Sequence, residues 1–131
     1  MLRIVGVQRT QEPNEEFVLL QNQGVLKVNL KGHLVASEIA FEVDGSFTPE
    51  AVFAFSDDII IPPKTFVMLV TGVGDDGWGR SRDGSQVYYK FWQKNRTVWD
   101  KNEAPVQVLG VLHTKSCNQN WAQVTSESVA I

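Results

Sequence analysis

Between residues 78 and 101 the chain gathers the side chains best suited to gripping a partner. Trp78, Tyr88, Tyr89, Phe91, Trp92 and Trp99 are six of its thirteen aromatic residues. Arg80, Arg82, Lys90, Lys94, Arg96 and Lys101 are half of its twelve basic residues, and the stretch holds only two acids, Asp83 and Asp100. Rings interleaved with guanidinium and ammonium groups can stack bases and neutralise phosphates. The same residue types dominate the energetic centres of protein interfaces, and exposed Trp78 and Trp92 would also offer stacking platforms to sugars. The candidate binding residues are therefore Trp78, Arg80, Arg82, Tyr88, Lys90, Trp92, Lys94 and Arg96. The plainer alternative is a strand on which Tyr88 and Lys90 face water while Val87, Tyr89 and Phe91 face a core. Trp78, set among glycines, is the aromatic expected to be exposed, and Trp99 is expected in the core.

Catalytic chemistry finds little to work with. Asp75-Asp76-Gly77 and Asp57-Asp58 lack the spaced oxygens and downstream Glu of a calcium loop and read as acidic turns. His33 and His113 are the only histidines, with no His-x-x-x-His or Cys-x-x-Cys spacing for zinc. Cys117 has His113 and Lys115 close in sequence, but a lone thiol is reactive only in a specific electropositive setting. Gly72-x-Gly74-x-x-Gly77 fits a dinucleotide pattern without the strand-turn-helix context that gives the pattern meaning. Asn95-Arg96-Thr97 has the form of a glycosylation acceptor, which matters only in a secreted eukaryotic protein. The expectation is a non-enzyme without metal or cofactor.

The bulk properties agree. At 131 residues the chain suits one domain, expected over residues 1–125 with a loose tail at 126–131. Its formal net charge of -3 argues against whole-surface attraction to nucleic acid or anionic membrane, but leaves room for a local basic patch. One cysteine excludes an internal disulfide. Neither a signal-peptide pattern nor a long apolar run occurs, so a cytoplasmic location is expected by default and no membrane span is expected.

The elements that must position these residues read as strands. Ile4 to Gln8, Phe17 to Asn22, Leu26 to Leu30, Leu34 to Val43, Val52 to Phe55, Phe66 to Thr71, Val87 to Trp92 and Val106 to Leu112 are apolar or alternate with period two. Gln119 to Thr125 is a further candidate edge strand. Gly32 marks a bend, and Pro62-Pro63 ends any ladder begun by Ile59-Ile60-Ile61 because neither proline can donate. Phe66 to Thr71, apolar on both faces, is expected to be covered on both sides. Residues 72–85 read as one long glycine-rich loop. Short strands separated by turn signals predict an all-β fold, a sandwich of two mostly antiparallel sheets.

Some of these segments resemble a known family in order and pattern. Glu16-Phe17-Val18-Leu19-Leu20-Gln21-Asn22, followed by Val28-Asn29-Leu30-Lys31-Gly32-His33-Leu34, resembles the opening motif of the lamin-tail domain. Ile60-Ile61-Pro62-Pro63-Lys64, Val67 to Gly72, Val98-Trp99-Asp100-Lys101-Asn102 and Val106 to Leu109 are similar to that family's later segments. The likeness spans roughly residues 3 to 112 and is to bacterial-type members. Asn29 stands where the family often has Asp, His33 where it often has Trp, and Glu103-Ala104-Pro105 where it has a Gly-Asp turn. The resemblance implies an immunoglobulin-like sandwich and no general catalytic site. It also implies an interaction role: protein and chromatin binding in animal lamins, and service as an accessory module beside secreted or surface enzymes in bacteria. The expected function is docking of an unidentified protein partner through residues 78–96, with nucleic acid or glycan as alternatives.

Overall fold

The computed structural model describes residues 1–40, 49–99 and 104–110. Its elements are β1 (Leu2–Gln8), β2 (Phe17–Asn22), β3 (Val28–Asn29), β4 (His33–Ser37), β5 (Val52–Ala54), β6 (Ile60–Ile61), β7 (Phe66–Val70), β8 (Gly77–Arg80), β9 (Gln86–Phe91) and β10 (Val106–Gly110). Two short 3-10 turns, Glu38–Ala40 and Pro49–Ala51, lie between β4 and β5. The fold is all-β. A five-stranded sheet runs β1-β2-β7-β9-β8, a three-stranded sheet runs β10-β4-β5, and β3 pairs with β6.

Alternation within the strands decides what lies between the sheets. Val18 and Leu20 of β2, Val67 and Leu69 of β7 and Tyr88 of β9 point to one face and are buried. They share a core with Leu2, Leu30, Val35, Phe55, Ile61 and Trp99, and Val106 and Val108 of β10 pack against it. The opposite face of the large sheet carries Leu19, Phe66, Met68, Val87 and Tyr89, so β7 is apolar on both sides as its sequence predicts.

Two buried polar side chains hold the ends of β2. Glu16 has no exposed surface, and its Oε1 accepts from Thr71 Oγ1 at 2.7 Å, Val98 N at 2.8 Å and Trp99 N at 3.2 Å. At the other end, Asn22 Nδ2 donates to the carbonyls of Leu26 and Ile61, both at 2.9 Å. Its Oδ1 accepts from Gly24 N at 3.0 Å. A buried polar group is tolerated only when so satisfied.

Several expectations need correction. The strand predicted over Leu26 to Leu30 shrinks to Val28–Asn29, because Asn22 captures the Leu26 carbonyl and Pro62 stops the β6 ladder. The strand predicted over 34–43 ends at Ser37, and Glu38–Ala40 forms a tight turn; Phe41 and Val43 lie outside the described residues. The presumed loop 72–85 contains β8, which pairs antiparallel with β9. One neighbouring pair is not antiparallel: β7 and β9 run parallel, Phe66 beside Val87 and Val70 beside Phe91. The expected strand 119–125, the tail 126–131, His113, Lys115, Cys117, Asp100 and Lys101 lie outside the described residues.

Candidate binding surface

Strand β9 sets the geometry of the aromatic-basic stretch. Its parallel register places Tyr88 beside Val67 and Lys90 beside Leu69, both inner-face residues. Val87, Tyr89 and Phe91 therefore occupy the outer face. This reverses the sequence expectation of Tyr88 and Lys90 in water with Val87, Tyr89 and Phe91 in the core. The run Val87-Tyr88-Tyr89-Lys90-Phe91-Trp92 is largely apolar in both phases, so alternation alone could not choose between them.

Lys90 reaches the inner side because two carboxylates meet it. Its Nζ lies 3.0 Å from Asp57 Oδ1 and 2.8 Å from Asp76 Oδ2. Asp57 Oδ2 also accepts from the Tyr88 hydroxyl at 2.9 Å, and Asp76 Oδ1 accepts from the Phe91 amide at 2.8 Å. Burial, then the hydrogen bond to Asp57, push the Tyr88 phenol up to about 12. Burial pulls the Lys90 ammonium down, but the hydrogen bonds to Asp76 and Asp57 outweigh it and leave its pKa raised. The sequence reading took Asp57-Asp58 and Asp75-Asp76 as plain acidic turns and missed this pairing. Nothing local in the sequence signals it, since Asp57 is 33 residues from Lys90.

Trp78 pairs across the hairpin with Tyr88 and packs its ring edge-on against the tyrosine, centroids 5.3 Å apart. It remains 49% exposed, the most open of the candidate aromatics, as its glycine setting predicts. Arg80, two residues along the same face, is exposed, and its Nη1 donates to the Gly84 carbonyl at 3.0 Å. Trp78 and Arg80 are thus both exposed on one face of β8, with Trp78 resting on Tyr88.

The other candidates disperse. Trp92 is half-buried, 5.2 Å from Phe53 and 5.6 Å from the buried Trp99 between ring centroids, with Lys94 Nζ 4.8 Å over its ring. It belongs to the rim of the core, and Lys94 covers its remaining face. Arg82 stands in the β8–β9 turn beside a hollow of about 350 Å3 on the outer face, floored by Leu19, Phe66, Met68, Val87 and Tyr89. Arg96 is exposed in the segment after β9. The stretch is thus no continuous patch: Tyr88 is buried, Lys90 is neutralised, and Trp92 is packed. Trp99 lies in the core as expected, 1% exposed.

Among the described residues, no three His, Cys, Asp or Glu side chains converge where they could hold a metal ion. His33 Nδ1 lies 3.2 Å from the Leu30 carbonyl, a local contact that fits the tautomer with its hydrogen on Nδ1. No helix of the described residues is long and apolar enough to cross a membrane. A scan against protein-family models finds no match for the chain, and a search of curated proteins finds no relative.

Proposed function

We propose that this chain is a non-catalytic interaction module, an immunoglobulin-like sandwich of the lamin-tail kind, that docks a protein partner through the β8–β9 surface. The observation that carries this reading is Trp78. Its indole is half open to solvent, yet it is supported edge-on by Tyr88, whose hydroxyl is tied to Asp57. An aromatic anchor held in place before binding loses little side-chain freedom on docking, and Trp beside Arg is a frequent hot-spot composition. The pairing of Lys90 with Asp57 and Asp76 favours protein over polyanion, because it removes one cation from the surface a phosphate backbone would need. The lamin-tail-like segments support the fold half of the proposal; Glu16 and Asn22, which bound the first of them, perform structural tasks that such a motif would require.

The test is affinity capture with the intact chain and with a Trp78→Ala/Arg80→Ala variant. Both side chains are exposed enough that the melting temperature should stay within a few degrees of the parent. Loss of captured partners at unchanged stability supports the reading, and an identical partner set rejects it. Titration with single- and double-stranded oligonucleotides at low salt, and a glycan array, give the alternatives their chance; strong binding in either would displace the protein-docking reading.

A further inference from the structure

We propose that the loop joining β2 to β3 is a lipid-facing tip that docks on an anionic bilayer surface. Val25 is 90% exposed and Leu26 75% exposed, the two most open large apolar side chains among the described residues. Single exposed apolar residues are ordinary, but this pair is consecutive and held outward. Asn22 fixes the loop by bonding the Leu26 and Ile61 carbonyls and the Gly24 amide, which keeps the two side chains from folding back onto the sheets.

Charge complements this tip. The register brings together the start of β1, the end of β2, the start of β7 and the start of β9: Leu2 pairs with Asn22, Gln21 with Phe66, and Phe66 with Val87. The stretches 1–3, 21–28, 61–66 and 80–87 that meet there contain Arg3, Lys27, Lys64, Arg80 and Arg82 against a single acid, Asp83. All five basic residues are exposed. The chain as a whole carries fifteen acids and twelve basic residues, so this end opposes the overall charge. Exposed apolar side chains at the sheet end that carries these cations need no shape-matched pocket. They suit a bilayer, where Val25 and Leu26 would enter the interface and the ammonium and guanidinium groups would lie at headgroup level. Its apolar anchors are distinct from Trp78, although Arg80 belongs to both surfaces, and it does not rest on the protein-docking proposal.

The experiment is co-sedimentation of the full chain with phosphatidylcholine vesicles, with and without about 30% phosphatidylserine, at low and high salt. Binding is expected only to the anionic vesicles, and should weaken as salt rises. Val25→Ser/Leu26→Ser should reduce partitioning about tenfold. Lys27→Gln/Lys64→Gln should reduce it about 30-fold. Both variants change exposed side chains and should melt like the parent, while Trp78→Ala should bind vesicles as the parent does. Absence of sedimentation overturns the proposal, as does equal binding to neutral and anionic vesicles or indifference to the Val25/Leu26 change. A protein partner that needs Val25 and Leu26 while vesicles leave the chain in solution overturns it equally.

Discussion

Glu16 is tolerated in the protein interior because Thr71 Oγ1 and the amides of Val98 and Trp99 converge on one of its side-chain oxygens. Removing the acceptor strands those donors in a place water does not reach. Glu16→Ala is expected to cost about 3 kcal/mol or more in urea denaturation, and Glu16→Gln distinctly less, since an amide oxygen can still accept. Equal losses would mean the oxygen is not the point of the residue. Asn22→Asp tests the other end of β2. It puts an acceptor where Asn22 Nδ2 donates to two carbonyls, so about 2–3 kcal/mol should be lost despite the near-identical shape. Tyr88 and Lys90 predict an alkaline weakness. The folded chain keeps the Tyr88 proton up to about 12, against 10 for the ordinary phenol. The raised pKa means the folded state retains a proton that the unfolded state gives up. That stability is whole below pH 10 and drains away as pH climbs toward 12, and the raised Lys90 adds a loss of the same sign. Denaturation midpoints measured from pH 8 to 11.5 should therefore fall more steeply for the parent than for Tyr88→Phe; parallel curves would refute this.

At the level of elements, glycine decides where strands and loops can touch. A Cβ at Gly72, just after β7, would lie 2.8 Å from the Asn14 Cα, and the Asn14 side chain accepts from the Val73 amide at 2.8 Å. Two backbones meet there and neither can yield cheaply. Gly72→Ala should lower stability by about 2 kcal/mol. A Cβ at Gly79 in β8 would also fall 2.8 Å from an atom, but that atom belongs to the Tyr89 ring, which can turn aside. Gly79→Ala should thus cost less than Gly72→Ala, and calorimetric melting of the two variants gives the comparison.

For the whole molecule, the strand order matters more than any single motif. Parallel pairing of β7 and β9 carries the β8–β9 hairpin to the edge of the large sheet, with Trp78 and Arg80 on the inner side and Arg82 beside the outer hollow. It also collects Arg3, Lys27, Lys64, Arg80 and Arg82 at one end of the sheet, while Lys90 sits farther along β9 between Asp57 and Asp76. One chain with a modest negative charge therefore presents unlike surfaces. Capture of protein partners should depend on Trp78 and Arg80, and vesicle binding on Val25, Leu26, Lys27 and Lys64. Trp78→Ala should leave vesicle binding in place, and Val25→Ser/Leu26→Ser should leave partner capture in place.

The positions of β1, β2, β5, β7 and β9, the core place of Trp99 and the openness of Trp78 follow from the order of residues alone, because alternation and glycine act over a few neighbours. Which face of β9 turns inward does not, since Val87 to Trp92 would serve in either phase. That choice belongs to the parallel contact with β7 and to Asp57 and Asp76, which neutralise Lys90 from distant points in the chain. The exposure of Val25 and Leu26 is likewise a tertiary outcome. The alternation reads Leu26 as the start of a strand, and a single buried asparagine, joined to Ile61 39 residues away, holds the loop out instead.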